Sequence, residues 1–292
     1  METRVAANSS RQVSGTSIMR LSVIIVNYNG GEVLPECLAN LKHFGCQDDC
    51  EVLVVDNASS DNSVGSLRDL FPWVTVIENG ENLGFARGCN VGIRASKGRM
   101  ILFLNPDTRF LNDALSALVD FLEKNPSVGL IGPRMVYPDG EFQLSCGSLP
   151  TAFREIRDKI LYASAKNNVP GVRFLLDRTY GRVRTVGWLT GACLLGRREA
   201  LEEGHGFDER LFMYFEDKDL CKRVAEAGWG VVYYPGAVVS HMLGKSSRDS
   251  DANRLRGIYR TSQWYYYEKH LGTIDRALLK VYLALRSAIG FG

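Results

Sequence analysis

The sequence lacks any long apolar run. No uncharged stretch reaches eighteen consecutive apolar residues, whereas a helix that crosses a bilayer needs about 20. The first seventeen residues are mostly polar and small, without the apolar core of a signal peptide. We therefore expect no membrane-spanning helix and no secretory leader, and we predict a cytoplasmic protein.

Two glycine-rich phosphate-binding motifs are also absent. The chain has no Gly-x-x-x-x-Gly-Lys-Ser sequence, and its first predicted strand is not followed by Gly-x-Gly-x-x-Gly. These absences argue against a P-loop enzyme and against a dinucleotide-dependent dehydrogenase. A diphosphate bound by this protein would therefore need a metal ion to neutralise its charge.

The chain has little net charge, +2 in total, which argues against a nucleic-acid partner. The balance is uneven, because residues 245–292 carry nine Lys and Arg against four Asp and Glu. A helix drawn from Ile274 has one apolar face, and Arg276 and Lys280 lie on the opposite face. The aromatic run 264–267 precedes this helix. This pattern predicts peripheral membrane association. Packing on the catalytic domain or in a homodimer is the alternative.

The seven cysteines are an odd number, and most lie in apolar segments such as Ala192–Leu194. We expect buried thiols in a reducing compartment. His43, Cys46 and Cys50 are close enough in sequence to suggest zinc, but no second pair of ligands completes a site.

Short apolar strands alternate with helices in the first part of the chain. The predicted strands cover residues 21–26, 51–55, 74–77 and 99–104, and the predicted helices cover residues 32–44, 63–71, 82–95 and 111–122. Short links between alternating elements predict a mostly parallel sheet with helices on both faces.

The pattern changes after about residue 126. Later strands are predicted at residues 128–136, 141–144, 190–195, 230–234 and 237–240, and later helices at residues 217–227, 247–270 and 274–289. We divide the chain into a disordered tail (1–20), a catalytic α/β domain (21–246) and a C-terminal helical extension (247–292).

Polar side chains end three of the predicted strands, in the sequences Asn27-Tyr28-Asn29, Asp56-Asn57 and Asn105-Pro106-Asp107. Ligands of open α/β sheets bind beyond the carboxyl ends of the strands, and short Asn and Asp side chains can bond a base and a ribose. Ordinary turn chemistry explains any one cluster. Clusters at three strand ends together favour a nucleotide site.

Two adjacent carboxylates, Glu216 and Asp217, open a predicted helix. The helix dipole favours the charged form of Asp217, which could then act as a general base; a plain N-cap is the alternative. Glu216 could hold an acceptor hydroxyl. Asp107 and His241 offer an oxygen and an imidazole, ligands that suit Mg²⁺ or Mn²⁺.

These motifs resemble, as an ordered set, those of inverting family 2 glycosyltransferases with the GT-A fold. The matching segments are residues 21–30, 54–59, 82–86, 90–92, 104–107 and the Glu216-Asp217 stretch. Asn-Pro-Asp together with Phe-Glu-Asp-x-Asp-Leu-Cys is similar to bacterial rhamnosyltransferases. The resemblance therefore implies a nucleotide-sugar-binding α/β fold with a mixed, mostly parallel sheet and C-terminal helices.

The resemblance also implies roles for individual residues. Donor-binding roles fall on Val26, Asn27, Asn29, Asp56, Asn82, Gly84, Phe85, Asn90 and Asn105. Acceptor-binding roles fall on Trp188, Gly191 and Glu216. Asp107 and His241 would hold the metal and Asp217 would be the base. Asn105 replaces the first aspartate of the family's Asp-x-Asp motif, which removes one negative charge from the metal site. Arg87, to which the resemblance gives no role, could meet a phosphate.

The expected reaction moves rhamnose from dTDP-rhamnose to a glycan or lipid-linked sugar in cell-wall or surface-polysaccharide synthesis. Three alternatives stay open. One is another donor, as in galactofuranosyl or N-acetylhexosaminyl transferases. The second is nucleotidyl transfer, which also uses nucleotide-binding α/β sheets. The third is a non-catalytic binding protein.

Overall fold

The computed structural model describes residues 19–46, 49–65, 67–166, 169–242 and 252–288. In the first part of the chain, strands and helices alternate as the sequence predicts. The strands are β1 (Leu21–Asn27), β2 (Cys50–Asp56), β3 (Val74–Glu78), β4 (Met100–Leu104) and β5 (Thr108–Phe110). The helices are α1 (Val33–His43), α2 (Leu67–Leu70), α3 (Gly84–Ala95) and α4 (Ala114–Lys124).

The second part mixes short strands with helices. Its strands are β6 (Val128–Val136), β7 (Phe142–Gln143), β8 (Cys146–Gly147), β9 (Arg184–Thr185), β10 (Trp188–Leu189), β11 (Cys193–Arg197) and β12 (Gly230–His241). Its helices are α5 (Ala152–Lys166), α6 (Val172–Tyr180), α7 (Arg198–Glu203), α8 (Glu216–Glu226), α9 (Ala252–His270) and α10 (Thr273–Ala288).

One mixed sheet organises these elements, in the strand order β3-β2-β1-β4-β11-β6-β12-β5. The first four strands of this order are parallel. Strand β11 then runs antiparallel between β4 and β6, with Cys193 opposite Leu104. The start of β11 therefore lies beside the end of β4, at the edge where the polar strand ends meet.

Helices cover both faces of the sheet, which is why the central strands are almost continuously apolar. The apolar side chains of α1 and α4, such as Leu38 and Leu118, belong to the core on one face. Those of α3, α7 and α8, such as Ala86, Leu201 and Leu220, belong to the core on the other face. The mixed α/β architecture predicted from the sequence is confirmed.

Two predicted strands are one. The segments 230–234 and 237–240 form the single strand β12, whose register with β6 shifts between Tyr234 and Val238. Pro235 lies in that interval, and proline has no N–H to donate to a strand ladder. The sequence analysis took this interruption for a strand end, whereas the strand continues through a bulge to His241.

The cysteines only partly match the expectation of buried thiols. Five are free and buried, namely Cys37, Cys89, Cys146, Cys193 and Cys221. Cys46 and Cys50 instead form a disulfide between the end of α1 and the start of β2. The pairing corrects the thiol expectation for these two cysteines. Because disulfides are rare in reducing compartments, the cysteine pattern no longer supports a reducing location.

The aromatic run in α9 packs inside the protein. Tyr266 and Tyr267 are buried against Phe215, and Trp264 and Tyr265 are partly buried in the same cluster. The burial of these rings contradicts the predicted membrane-interface role of the aromatic run and agrees with the packing alternative. No helix in the part of the chain that the structure describes is long and apolar enough to cross a membrane.

Candidate active site

A cavity of about 380 Å³ opens at the carboxyl ends of β1 and β4. Helix α9 and the loop before α8 close it from the other side. It is lined by Val26, Tyr28, Asn57, Asn82, Gly84, Phe85, Asn105, Pro106, Asp107, Thr190, Gly191, Ala192, Phe212, Met213, Tyr214, Phe215, Glu216, Asp217, Lys218, His241, Arg254, Leu255, Ile258 and Tyr259. The structure thus brings together most of the residues that the sequence singled out.

The start of α3 forms one wall of the cavity. Asn82 Oδ1 accepts a hydrogen bond of 3.0 Å from the backbone N–H of Gly84. Gly84 has a φ of +78°, and a Cβ there would lie 2.4 Å from the carbonyl oxygen of Phe212. The backbone N–H of Phe85 bonds that same oxygen at 2.7 Å. Only glycine fits this approach between α3 and the loop before α8.

Four predicted donor-binding residues do not line this cavity but support the loops around it. Asn27 Nδ2 donates to Asp56 Oδ1 at 2.8 Å, and both side chains are buried. Asn29 Oδ1 accepts a bond of 2.8 Å from the N–H of Ser60. Asn90 donates to the carbonyl of Phe207 at 2.9 Å. The sequence showed that these side chains are polar, but not that neighbouring loops use their hydrogen bonds.

The predicted metal ligands meet at the far end of the cavity. Nε2 of His241 lies 3.2 Å from Oδ1 of Asp107, and both side chains are buried. Nδ1 of His241 lies 3.2 Å from Oε1 of Gln143, an amide oxygen that can only accept. Asn105 Nδ2 lies 3.4 Å from Nε2 of His241. With this orientation of the Gln143 amide, a neutral ring carries its proton on Nδ1 and directs its Nε2 lone pair toward Asp107.

This geometry fits a divalent cation. An unprotonated Nε2 and a carboxylate oxygen that face each other repel, unless a proton or a cation lies between them. An oxygen and an imidazole nitrogen are acceptable ligands for Mn²⁺, and the remaining positions could take phosphate oxygens and water. Across the described ranges, no third His, Cys, Asp or Glu completes an all-protein site.

The loop before α8 presents Glu216 and Asp217 in a constrained conformation. Tyr214 and Phe215 have φ angles of 71° and 66°, and two consecutive left-handed residues that are not glycine are uncommon. Phe215 is fully packed against Tyr259 and Tyr266. This packing holds the backbone turn that directs both carboxylates into the cavity.

Both carboxylates resist ionisation. Burial raises the pKa of Glu216, and the neighbouring charge of Asp217 raises it further. Burial also raises the pKa of Asp217, although the charge of Lys218 and backbone N–H groups oppose the shift. The sequence predicted that the helix dipole would favour the charged form of Asp217. That prediction is wrong, because loss of solvation outweighs the dipole.

A short series of backbone contacts joins Asp217 to the predicted metal ligands. The N–H of Gly191 donates to Asp217 Oδ2 at 3.2 Å. The carbonyl of Ala192, the next residue, accepts a 2.9 Å bond from the N–H of Asn105. Asn105 in turn precedes Asp107 by two residues. The end of β4 and the start of β11 therefore fix the carboxylate of Asp217 relative to Asp107.

Sequence reasoning missed the contribution of α9. Arg254 and Tyr259 line the cavity from this helix, but no motif marks them and nine residues outside the described ranges precede the helix. Arg87, considered for phosphate, instead pairs with Glu209 at 3.4 Å and does not line the cavity. Lys245, a second cation of the sequence that could meet a phosphate, lies outside the described residues.

A second cavity of about 340 Å³ adjoins the first. Thr190, Lys218, His241 and Tyr259 line both. Trp188, a predicted acceptor residue, lines only the second, and Nζ of Lys218 lies 4.9 Å from the centre of its ring. The two cavities thus meet beside Asp217, which lets two substrates approach each other there.

Residues 22–204 match the family Glycosyl transferase family 2, and this match covers more than half of the chain. The chain belongs to glycosyltransferase family 2. The family and the GT-A fold expected from the sequence are therefore confirmed.

The glycosyltransferase has relatives of similar length. An N-acetylglucosaminyl-diphospho-decaprenol L-rhamnosyltransferase of Mycobacterium tuberculosis (strain ATCC 25618 / H37Rv) is 32% identical over 282 residues, which is 91% of each protein. The low-salt glycan biosynthesis hexosyltransferase Agl10 of Haloferax volcanii is 25% identical over 221 residues, 73% of this chain and 64% of that protein.

Solved structures share the fold of this glycosyltransferase. The mannosyltransferase PcManGT from Pyrobaculum calidifontis, in complex with GDP-Man and Mn²⁺, has a TM-score of 0.55 at 20% identity, over 93% of this chain and 81% of that one. GalNAc-T7 with UDP, GalNAc and Mn²⁺ has a TM-score of 0.57 at 16% identity, over 78% of this chain and 44% of that one.

Proposed function

We propose that this glycosyltransferase moves rhamnose from a nucleotide-diphospho-rhamnose to a sugar on a diphospho-lipid, with inversion at the anomeric carbon. The observation that carries the proposal is the position of the Asp217 carboxylate in the first cavity, beside Lys218 and Thr190, where the two cavities meet. The rhamnosyltransferase of M. tuberculosis, at 32% identity over nearly the whole chain, supports this choice of donor and acceptor.

The donor occupies the first cavity in this proposal. Its nucleotide lies along the wall formed by Asn57, Asn82 and Phe85, and its diphosphate lies near Asp107 and His241. A divalent ion held by Asp107 and His241, Mg²⁺ or Mn²⁺, would supply positive charge to the leaving diphosphate. Arg254 is a described cation in the same cavity and would add a charge-assisted contact to a phosphate.

Asp217 receives the proton of the acceptor hydroxyl. The acceptor oxygen forms a bond to the anomeric carbon while the bond from that carbon to the diphosphate oxygen breaks, and the diphosphate takes the electron pair. One displacement inverts the anomeric centre. A base works best when its pKa lies near the working pH, and burial raises the pKa of Asp217 in that direction.

The acceptor sugar occupies the second cavity. Trp188 and Tyr137 offer ring faces for the apolar side of a sugar, and Asp158 and Ser148 offer hydrogen-bond partners for its hydroxyl groups. Glu216, buried with its Oε2 atom unpaired among the described side chains, lines the donor cavity beside Asp217. Its raised pKa lets it donate a hydrogen bond to the acceptor oxygen while Asp217 accepts the proton.

A donor panel tests the proposal. The purified protein is incubated with nucleotide-diphospho-sugars that differ in base and sugar, with and without a soluble diphospho-lipid analogue that bears N-acetylglucosamine. We expect acceptor-dependent release of nucleoside diphosphate with the rhamnose donor and a product of inverted configuration. Faster release with a galactofuranose or N-acetylhexosamine donor would show that this sugar, and not rhamnose, is the one transferred. Release of pyrophosphate from a nucleoside triphosphate would indicate a nucleotidyltransferase.

A further inference from the structure

Helices α5 and α6 expose large apolar side chains. Phe153 on α5 is 73% exposed and Phe174 on α6 is 72% exposed. Ile156 and Ile160 follow Phe153 at helical spacing and are exposed as well, so all three lie on one side of α5. The two helices pack against each other. Exposed apolar side chains on adjoining helices indicate a surface that another partner covers.

Helix α10 adds an apolar stripe next to α5, with which it is also in contact. The stripe consists of Ile274, Leu278, Val281 and Leu285, each at least half exposed. Leu279, on another side of the helix, is buried in the cluster that holds α9. Helix α10 is therefore docked through one face and leaves a second apolar face in solvent.

The same segments concentrate positive charge. Residues 152–184 carry eight Lys and Arg against three Asp and Glu, and residues 273–288 carry three against one. Their net charges are thus +5 and +2, in a chain whose total is +2. The rest of the chain consequently carries a net charge of −5, so the excess positive charge of the sequence lies in these two segments.

We propose that the exposed apolar side chains of α5, α6 and α10, together with their basic neighbours, form a docking surface for an anionic phospholipid bilayer. Apolar side chains enter the boundary between head groups and acyl chains, and exposed cations such as Arg178 contact the head groups. A second copy of the chain fits this surface poorly, because a symmetric dimer would place two strongly basic surfaces against each other.

Helix α5 also connects this surface to the second cavity. Arg154, Glu155 and Asp158 line that cavity, and at helical spacing they lie on a different side of α5 from Phe153 and Ile160. Docking would therefore hold the second cavity about one helix diameter, roughly 10 Å, from the bilayer surface. The proposal concerns binding to the bilayer and does not depend on which sugar the enzyme transfers.

Vesicle co-sedimentation of the full chain tests the proposal. The probes are vesicles of phosphatidylcholine alone and of phosphatidylcholine with phosphatidylglycerol, at low and at high salt. The test variant combines Phe153→Glu, Phe174→Glu and Leu278→Glu. The matched control combines Leu70→Glu and Leu111→Glu, two exposed leucines (63% and 54%) outside these three helices. Circular dichroism melting checks that both variants are folded.

We expect the wild-type chain and the control to bind the anionic vesicles, with an affinity that falls as salt rises. The affinity of the test variant should be lower by a factor of roughly ten or more. Equal binding by folded test and control variants would show that these side chains do not form the docking surface. Absence of vesicle binding by the wild-type chain would show that a bilayer is not the partner. A dimer in sedimentation velocity that the test variant converts to a monomer would assign the surface to a second copy instead. Release of nucleoside diphosphate with the soluble acceptor analogue, which needs no bilayer, separates these results from failure of the proposed function.

Discussion

Nε2 of His270 lies 2.6 Å from Oδ1 of Asp219, a carboxylate that is completely buried two residues beyond Asp217. Nζ of Lys269 contacts the same oxygen at 2.6 Å, and Arg223 donates to the other at 2.8 Å. The end of α9 is thereby tied to α8, the helix that presents Asp217. Because α9 also supplies Arg254 and Tyr259 to the cavity, this contact links stability and substrate binding.

Asp219→Asn should therefore destabilise the protein strongly. The change leaves Arg223 without its buried anion and Lys269 with Asp208 alone, and breaking a buried ion pair from one side typically costs about 3–5 kcal/mol. Urea unfolding at neutral pH measures the loss. Asp69→Asn, at an exposed position on α2, is the isosteric control and should be nearly neutral. A loss no larger than that of the control would mean that the network does not anchor α9.

The stability difference between wild type and Asp219→Asn should shrink in acid. Burial raises the pKa of Asp219, but hydrogen bonds from His270 and Lys269 and the charge of Arg223 outweigh it, so the pKa falls below its ordinary value. A carboxylate with a lowered pKa stabilises the fold above the unfolded-state pKa, about 3.9, and loses this effect as the pH falls through the folded-state value. The urea midpoints of the wild type and of Asp219→Asn, measured from neutral pH to below about pH 3.9, should therefore converge as the pH falls.

Asp217→Asn should abolish transfer while donor affinity stays nearly unchanged. Loss of a general base typically lowers the rate about 10²–10⁴-fold, and the amide keeps the shape of the side chain. Steady-state kinetics and donor titration measure the two effects. Asp113→Asn, an exposed carboxylate just before α4, controls for the change at a helix entry. Near-normal turnover of a folded Asp217→Asn protein would remove Asp217 from the mechanism.

Lys218→Met should move the acid limb of the pH–rate profile to higher pH. The charge of Lys218 lowers the pKa of Asp217 against the effect of burial, so its removal lets that pKa rise and the base protonates sooner on acidification. Methionine retains an apolar chain against the rings of Trp188 and Phe215. Lys222→Met, one turn further along α8, should leave the limb in place. A shift in the opposite direction would contradict the assignment of Asp217 as the titrating base.

Activity should require a divalent ion, and Gln143→Leu should weaken the response to it. Gln143 holds His241 through Nδ1, and loss of such an outer contact typically costs about 10–100-fold in metal affinity or activity. Asp107→Ala should impair Mn²⁺-dependent donor binding further. Titration of donor binding with Mn²⁺ compares these variants with Asp139→Asn, an exposed turn residue. Full activity in excess EDTA would show that cationic side chains neutralise the diphosphate alone.

Arg254→Gln should raise the dissociation constant for the donor about tenfold, in the range of one charge-assisted hydrogen bond to a phosphate. Arg256→Gln, two residues further along α9 and not part of the cavity lining, is the control. Equilibrium binding of the nucleoside diphosphate is the measurement. Equal affinities for both variants would exclude Arg254 from phosphate binding.

The sheet and the grouping of polar strand ends could be predicted because they depend on local patterns. Apolar runs mark β1, β2 and β4, and parallel strands bring their carboxyl ends to one edge. The division of labour among the polar residues could not be predicted. Asn27 and Asp56 match the motifs as well as Asn82 does, yet their hydrogen bonds are used by each other and by nearby serines. Such a distinction depends on three-dimensional contacts.

The raised pKa of Asp217 and the contribution of α9 to the cavity could not be predicted from the sequence for a related reason. The helix dipole at Asp217 follows from sequence position, whereas its loss of solvation depends on residues such as Gly191 and Tyr259, which come from distant parts of the chain. The aromatic run 264–267 is equally compatible with lipid and with a protein core. The run packs in a protein core because Leu211 and Phe215 lie next to it, and no local pattern indicates that these residues are close.

The antiparallel position of β11 has a consequence for how this enzyme can change. Its pairing with β4 sets the separation between Asp217 and Asp107, through Gly191, Ala192 and Asn105. A one-residue insertion between Ala192 and Cys193 would shift the strand register, turn every side chain of β11 to the opposite face and move Asp217 away from Asp107. Changes of substrate are therefore expected to arise in the α8 loop, α5 and α9, where sequence length can vary while the reaction distance stays the same.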